Sequence, residues 1–313
     1  MRIAVLDDYQ QAARRLADWD SLGADVTFHG EHLADPAALA AALAGYDVVV
    51  AMRERTPFDA ATLDLLPDLR LLVTTGRANA SIDLAAAAAR GVVVCGTDSP
   101  SSATPELTWA LILAVARHLP QEDARLRAGG WQHTIGTDLA GRTLGVVGLG
   151  RLGTQVARVG AAFGMDVVAW STNLDPDVAA GRGARAVAKD ELFATSDVVT
   201  VHYKLSPRSV GIVGRADLAR MKPAAILVNT SRGPLVDTAA LLEALHAGRI
   251  GGAGLDVYDV EPLPADDPLR SAPRTVLTPH LGYVTEGTYA TFFPQVVEDI
   301  AAWAAGSPVR LLG

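Results

Sequence analysis

An apolar run from Leu144 to Val147 breaks into Gly148-x-Gly150-x-x-Gly153, and an amphipathic run follows from Leu152 to Phe163. That order of strand, tight turn and helix constrains the fold more than any other stretch. Gly148 can take the dihedrals of the turn, Gly150 lets backbone approach a pyrophosphate, and Gly153 lets helix pack closely on strand. The N–H groups at the helix start would face the phosphates, which adds Arg151 and Leu152 to the candidate contacts. A second strand-like run, Asp166 to Trp170, closes a βαβ unit. The competing reading is a structural glycine turn in an ordinary crossover; the flanking runs favour a dinucleotide site.

With 313 residues, half of them hydrophobic, the chain can bury two cores. The net charge of −8 and the scattered arginines argue against a nucleic-acid partner. The one cysteine, Cys95, excludes an internal disulfide and a cysteine-rich zinc site, and its setting reads as a buried, inert strand. No metal is expected. The N-terminus reaches acids, Asp7 and Asp8, too early for a signal peptide. The longest apolar run, Leu107 to Ala116, is too short to span a bilayer. A soluble cytoplasmic protein with no membrane partner is the resulting expectation.

The first segment alternates strand-like runs (Ile3–Leu6, Val26–His29, Val48–Met52, Leu69–Thr74, Val92–Cys95) with helical ones (Gln10–Trp19, Pro36–Leu43, Phe58–Leu66, Ile82–Ala89). This pattern implies a parallel, doubly wound sheet. Asp7, Asp8 and Tyr9 follow its first strand where a glycine fingerprint would stand, so the cofactor belongs elsewhere. Its strand ends carry Arg53 and Arg55, and then Thr75 to Asn79, where Gly76 and its successors could offer N–H groups to a carboxylate. Thr97 to Pro105 reads as a linker, Glu106 to Arg117 as an apolar helix, and Gly129-Gly130 as its successor's end. Strand-like runs resume at Asp197–His202, Ala225–Val228, Gly252–Val257 and Val276–Leu277, giving a second doubly wound domain.

Three strand ends in this second domain carry reactive side chains: Arg232 after one, Asp256 and Glu261 after the next, His280 after the last. A guanidinium grips a carboxylate or keto oxygen through two parallel bonds, which lysine cannot match. Singly these are weak signals; together, beyond a glycine fingerprint, they are specific.

At this point the chain resembles the D-isomer-specific 2-hydroxyacid dehydrogenases. The likeness covers essentially its whole length and rests on the glycine fingerprint, Asn229 to Gly233, Gly254 to Pro262, and Pro279 to Gly282. The resemblance implies an α/β fold of two doubly wound parallel-sheet domains, a flavodoxin-like substrate domain and a Rossmann cofactor domain. The former would be discontinuous, residues 1–98 and 286–313, with 99–285 binding NAD(P). It implies Arg232, Glu261 and His280 as the catalytic set, and Asp256 as an acid near the nicotinamide amide. The substrate would lie on Arg53, Gly76, Arg77, Ala78 and Arg232, although Ala78 and Ala80 depart from the family's usual loop. His202 and Thr230 complete the cofactor contacts, and a homodimer is implied. Arg232 would polarise a keto oxygen, His280 would exchange a proton with it, and Glu261 would hold the imidazole and stabilise its charged form.

Cofactor choice is read from the end of the second strand. Trp170 is followed by Ser171, Thr172 and Asn173, with no acid at the place that binds ribose hydroxyls in NAD sites and no arginine for a 2′-phosphate; Asp175 comes late. The hydroxyls of Ser171 and Thr172 tip the expectation slightly to NADP or dual use over NAD. Lys204 departs from the usual proline. A phosphite or formate dehydrogenase of the same fold, or a dinucleotide-sensing protein without turnover, are the alternatives; Glu261 opposes the formate reading.

Overall fold

The computed structural model describes residues 1–313, which form two compact units, residues 1–100 with 284–313 and residues 101–283. The chain order is β1 Arg2–Val5, α1 Ala13–Leu16, β2 Asp25–Phe28, α2 Pro36–Ala42, β3 Val48–Ala51, α3 Ala60–Asp64, β4 Leu71–Thr74, α4 Leu84–Ala89 and β5 Val93–Gly96. The second unit holds α5 Ala103–Ala116, α6 Leu119–Arg127, β6 Thr143–Val147, α7 Arg151–Ala162, β7 Asp166–Trp170, α8 Pro176–Gly181, β8 Arg185–Ala186, α9 Lys189–Thr195 and β9 Val198–Val201. It ends with α10 Arg215–Arg220, β10 Ile226–Asn229, α11 Thr238–His246, β11 Gly252–Leu255 and β12 Thr275–Leu277, after which α12, Glu286–Ala304, belongs to the first unit.

In the first unit five parallel strands run in the order β2-β1-β3-β4-β5, the flavodoxin-like winding. Strands β3 and β4 are buried along their whole length, which is why they read as unbroken Val and Leu runs. Helices α2, α3 and α4 each start on an aspartate whose carboxylate accepts an N–H of the first turn: Asp35 from Ala38, Asp59 from Thr62, Asp83 from Ala86. Such a cap contributes roughly 1 kcal/mol. Helix α12 buries Phe292, Phe293, Val296 and Ile300 and packs on α1, β4 and β5. The tail beyond it closes the β5 edge: Gly96 N–H donates to Arg310 O at 3.0 Å and Leu312 N–H to Val94 O at 2.9 Å.

The second unit is a seven-stranded parallel sheet, β12-β11-β10-β9-β6-β7-β8. Counted from β6, that is the Rossmann order with one further strand, and the winding reverses between β6 and β9. One core packs on each face of the sheet, Leu192, Phe193, Leu241 and Leu245 on one, Trp109, Ile112, Val146 and Val156 on the other. Helix α5 is part of the core: Trp109, Leu111, Ile112 and Val115 are buried, and Trp109 stacks on Phe163 with ring centroids 4.9 Å apart. No helix is long and apolar enough to cross a membrane.

Local corrections have local causes. Helix was expected over Gln10–Trp19, but Asp8 accepts from the N–H groups of Ala12 and Ala13 and Gln11 has φ +50°, so only Ala13–Leu16 is α-helical. The expected linker ends early because α5 starts at Ala103, two residues before Pro105, where a missing N–H costs nothing. The stretch carrying α8, β8 and α9 was not foreseen at all.

Candidate active site

The parallel register places Trp170, Val147, Val201, Asn229, Leu255 and Leu277 side by side as the last paired residues of six strands. The residues that follow them, Ser171, Gly148, His202, Thr230, Asp256 and Thr278, therefore form one row along the carboxyl edge. At ~4.8 Å per strand the row is about 24 Å long. It crosses the reversal point between β6 and β9, where ligands of this architecture sit.

The three fingerprint glycines are glycines for three different reasons. Gly148 has φ +98°, and a Cβ there would meet His202 O at 2.5 Å. A Cβ on Gly153 would strike Gly148 O, so helix and strand touch backbone to backbone. Gly150 has an ordinary negative φ, and a Cβ there would meet nothing within 4 Å. Protein packing does not explain it; space kept for a ligand does. Gly150 is also the N-cap of α7 and offers no side-chain cap, unlike the aspartates that open α2, α3 and α4. The first-turn N–H groups, those of Arg151 and Leu152 among them, are thus left for an outside acceptor. These residues fit a pyrophosphate.

At the far end of the row, His280 Nδ1 lies 2.5 Å from Glu261 Oε2. Glu261 Oε1 accepts the Tyr258 N–H at 2.9 Å, so both carboxylate oxygens are engaged. His280 is buried, with φ +55°, and Tyr283 packs edge-on against its ring at 5.6 Å. The turn that carries it is anchored from below by Asp256, whose carboxylate accepts from Thr278 Oγ1 (2.6 Å), Leu281 N–H (2.7 Å) and Gly282 N–H (2.9 Å). Burial raises the Asp256 pKa above the usual carboxylate range, and those bonds work against the rise. Asp256, expected as an acid near the nicotinamide amide, has no exposed surface in the chain and spends both oxygens on the turn that carries His280.

Arg232 follows β10. Asn229 Nδ2 donates to its carbonyl at 2.9 Å, and the next residue, Gly233, abuts the backbone of Tyr258 and Asp259 where any Cβ would collide. The arginine turn is therefore locked to the segment that delivers Glu261. Thr230 is buried and its hydroxyl pairs with Thr108 of α5 at 2.8 Å. His202 sits beside the glycine turn, its Nε2 on Thr200 Oγ1 at 2.9 Å and its Nδ1 buried without a partner. Burial pushes its pKa down to about 4. Lys204 is exposed and belongs to the solvent. Cys95 is fully buried and burial pushes its thiol up to about 11, away from any nucleophilic role.

In the first unit, Arg53 is held with φ +53°, its N–H on Thr75 Oγ1 and its Nη1 on Thr75 O, both at 3.0 Å. Gly76 has φ +109° and any Cβ there would strike that guanidinium. The Gly76 N–H is committed to Thr97 Oγ1 at 2.8 Å, and the Arg77 side chain is 55% exposed and paired with Asp98 at 3.0 Å. What this loop offers an anion is the N–H groups of Arg77 and Ala78, which bond to nothing within the chain.

Two groups went unseen in the sequence. Arg182, after α8, donates from Nη1 to the carbonyl of Leu149 inside the fingerprint. Tyr203 stacks on Trp170 and its hydroxyl lies 2.7 Å from Thr172 Oγ1. An aromatic pair on the two neighbours of β6 was readable; an arginine arriving from beyond a helix was not.

Residues 109–282 match the family model for the NAD-binding domain of D-isomer specific 2-hydroxyacid dehydrogenases. D-3-phosphoglycerate dehydrogenase of Archaeoglobus fulgidus is 37% identical over 85% of this chain and 51% of its own length. This chain thus spans about half of that relative. Glyoxylate reductase of Korarchaeum cryptofilum is 37% identical over 80% of this chain and 77% of its own. A phosphoglycerate oxidoreductase crystal structure from Vibrio cholerae superposes with a TM-score of 0.93 at 38% identity, covering 98% of this chain and all of that one. The sequence likeness, the two parallel sheets and the fold match agree: this chain belongs to the D-isomer specific 2-hydroxyacid dehydrogenase family.

Proposed function

We propose that the chain interconverts 2-keto acids and D-2-hydroxy acids, with Arg232, Glu261 and His280 as its catalytic residues. The observation that carries this is the 2.5 Å pairing of His280 Nδ1 with Glu261, on the strand end next to the Arg232 turn. A bound nicotinamide supplies or accepts the hydride. Arg232 grips the substrate carboxylate and polarises the keto oxygen. The imidazole, its Nδ1 turned to Glu261, gives the Nε2 proton to that oxygen in reduction and takes it back in oxidation. The negative charge of Glu261 stabilises the imidazolium. NAD(H) suits the family; the missing acid after β7 favours NADP(H) or dual use.

The test is turnover of glyoxylate, hydroxypyruvate and phenylpyruvate with NADPH and NADH. Reduction of any of them by the wild type, lost on His280→Ala, is the expected result. Tight dinucleotide binding without turnover of a broad keto-acid panel would instead favour the sensing reading. Glu261 keeps the phosphite reading open to the same panel. A homodimer is proposed through the segment after α5, where Leu119, Leu126, Trp131 and Ile135 are exposed, the last two at 71% and 94%. A cytoplasmic setting suits a chain whose one cysteine is buried and reduced.

A further inference from the structure

The adenosine end of the row is more fully built than the sequence suggests. Leu149 of the glycine turn is held from both sides of its backbone: its N–H reaches Ser171 Oγ at 3.3 Å and its carbonyl accepts from Arg182 Nη1. A hydroxyl and a guanidinium thus flank one residue at the ends of β6 and β7. The Thr172 hydroxyl stands next in the chain, fixed by the Tyr203 hydroxyl at 2.7 Å. Arg182 is half-buried and pairs with no carboxylate; its single bond to a carbonyl leaves most of its five N–H groups uncommitted. The nearest acid in sequence, Asp175, is spent capping α8, accepting from the N–H groups of Asp177 (2.8 Å) and Val178 (3.1 Å). Lys189 nearby is neutralised by Asp217 at 2.8 Å. The corner therefore carries one guanidinium that pairs with no carboxylate and two hydroxyls, and its one acid is turned to the α8 N–H groups.

We propose that Arg182, Ser171 and Thr172, the last braced by Tyr203, form the site for the 2′-phosphate of NADP(H), with Arg182 as the residue that selects it. This rests on reading the row as a dinucleotide crevice. The planar fork of a guanidinium matches a phosphate, and the hydroxyls supply further donors. The rival account is that Arg182 only stiffens the glycine turn. Its loss would then weaken phosphorylated and unphosphorylated dinucleotides alike.

The experiment is calorimetric titration of the full chain with 2′,5′-ADP, 5′-ADP, NADPH and NADH. The wild type should bind 2′,5′-ADP more tightly than 5′-ADP, with an advantage that shrinks as salt is added. Arg182→Ala should cut that advantage roughly tenfold to a hundredfold and flatten its salt dependence. Thr172 is exposed, so Thr172→Asp should melt like the wild type while placing a carboxylate against the phosphate; it should abolish the advantage even where Arg182→Ala fails to fold. An advantage that survives both substitutions, or equal weakening of all four ligands, overturns the assignment and leaves NADP(H) use standing. A wild type that binds NADH and shows no advantage removes the NADP(H) choice and this site together, but keeps the dehydrogenase reading. Failure to bind any of the four removes the crevice itself.

Discussion

The two units have the same kind of winding and treat its reversal point in opposite ways. In the first unit the turn after β1 is filled by the protein's own anions. Asp8 caps the start of α1 through the N–H groups of Ala12 and Ala13. Asp7, with φ +56°, takes Tyr9 Oη, Thr56 Oγ1 and His32 Nδ1 at 2.9 to 3.1 Å. In the second unit the corresponding turn after β6 has no side chain to spend: Gly148 and Gly150 leave the α7 N-terminus bare. The difference teaches that a doubly wound sheet makes an anion site at this point by default. Whether it binds a cofactor depends on whether the chain has already supplied the anion.

The sharpest way to break this contrast is to give the second unit what the first one has. Gly150→Asp should cost about a thousandfold in dinucleotide affinity, since like charges brought together cost several kcal/mol. The Cβ meets nothing, so the melting temperature should hold. A variant that still binds NADH or NADPH by calorimetry ends the comparison. Next in size is Arg232→Lys, which should lower kcat/KM for keto-acid reduction about a hundredfold by losing the planar fork; near-normal kinetics would take Arg232 out of the site. Glu261→Gln removes the carboxylate that holds His280 Nδ1 at 2.5 Å, so kcat for keto-acid reduction should fall roughly tenfold with KM little altered. Unaltered kcat would leave Glu261 as scaffolding only.

The reverse experiment in the first unit is milder. Asp8→Ala strips the cap of α1 and should cost ~1–2 kcal/mol in urea unfolding, with dinucleotide affinity unaltered. The smallest effect separates two half-buried histidines. Burial takes His202 down to about 4 from an ordinary 6.5, so the unfolded chain takes up its proton first. Stability owed to His202 is therefore complete above pH 6.5 and lost as pH falls toward 4. Burial lowers His29 as well, but Asp7 opposes it. His202→Asn should flatten the acid slope of the unfolding free energy; His29→Asn should flatten it less. Equal slopes would show that the carboxylates of the first unit do not reach His29.

Much of this was written locally. Strands β3, β4, β6 and β10 announce themselves because both their faces are covered and their residues, ends apart, are apolar. The fingerprint and the strand-end residues Arg232, Glu261 and His280 share that clarity, since each lies within a few residues of a strand. Less legible were four residues whose partners lie far off in sequence. Three donors of the 278–282 turn claim the Asp256 carboxylate. Thr230, Gly76 and Arg77 are likewise claimed by Thr108, Thr97 and Asp98. Arg182 reads as surface because its target, the Leu149 carbonyl, lies 33 residues away. Helix propensity over Gln10–Trp19 lost to a carboxylate cap that fixes where α1 begins.

The return of α12 to the first unit sets an order of events on the ribosome. The face of β4 and β5 that Phe292, Phe293 and Val296 cover stays open to water until residue 304 has emerged. At 5–20 residues per second, the two hundred or so residues in between take roughly 10–40 s to make. The second unit, contiguous in sequence, has that interval to fold first, while the earlier-made strands wait with an apolar surface and an unpaired β5 edge that a chaperone or a neighbouring nascent chain could seize.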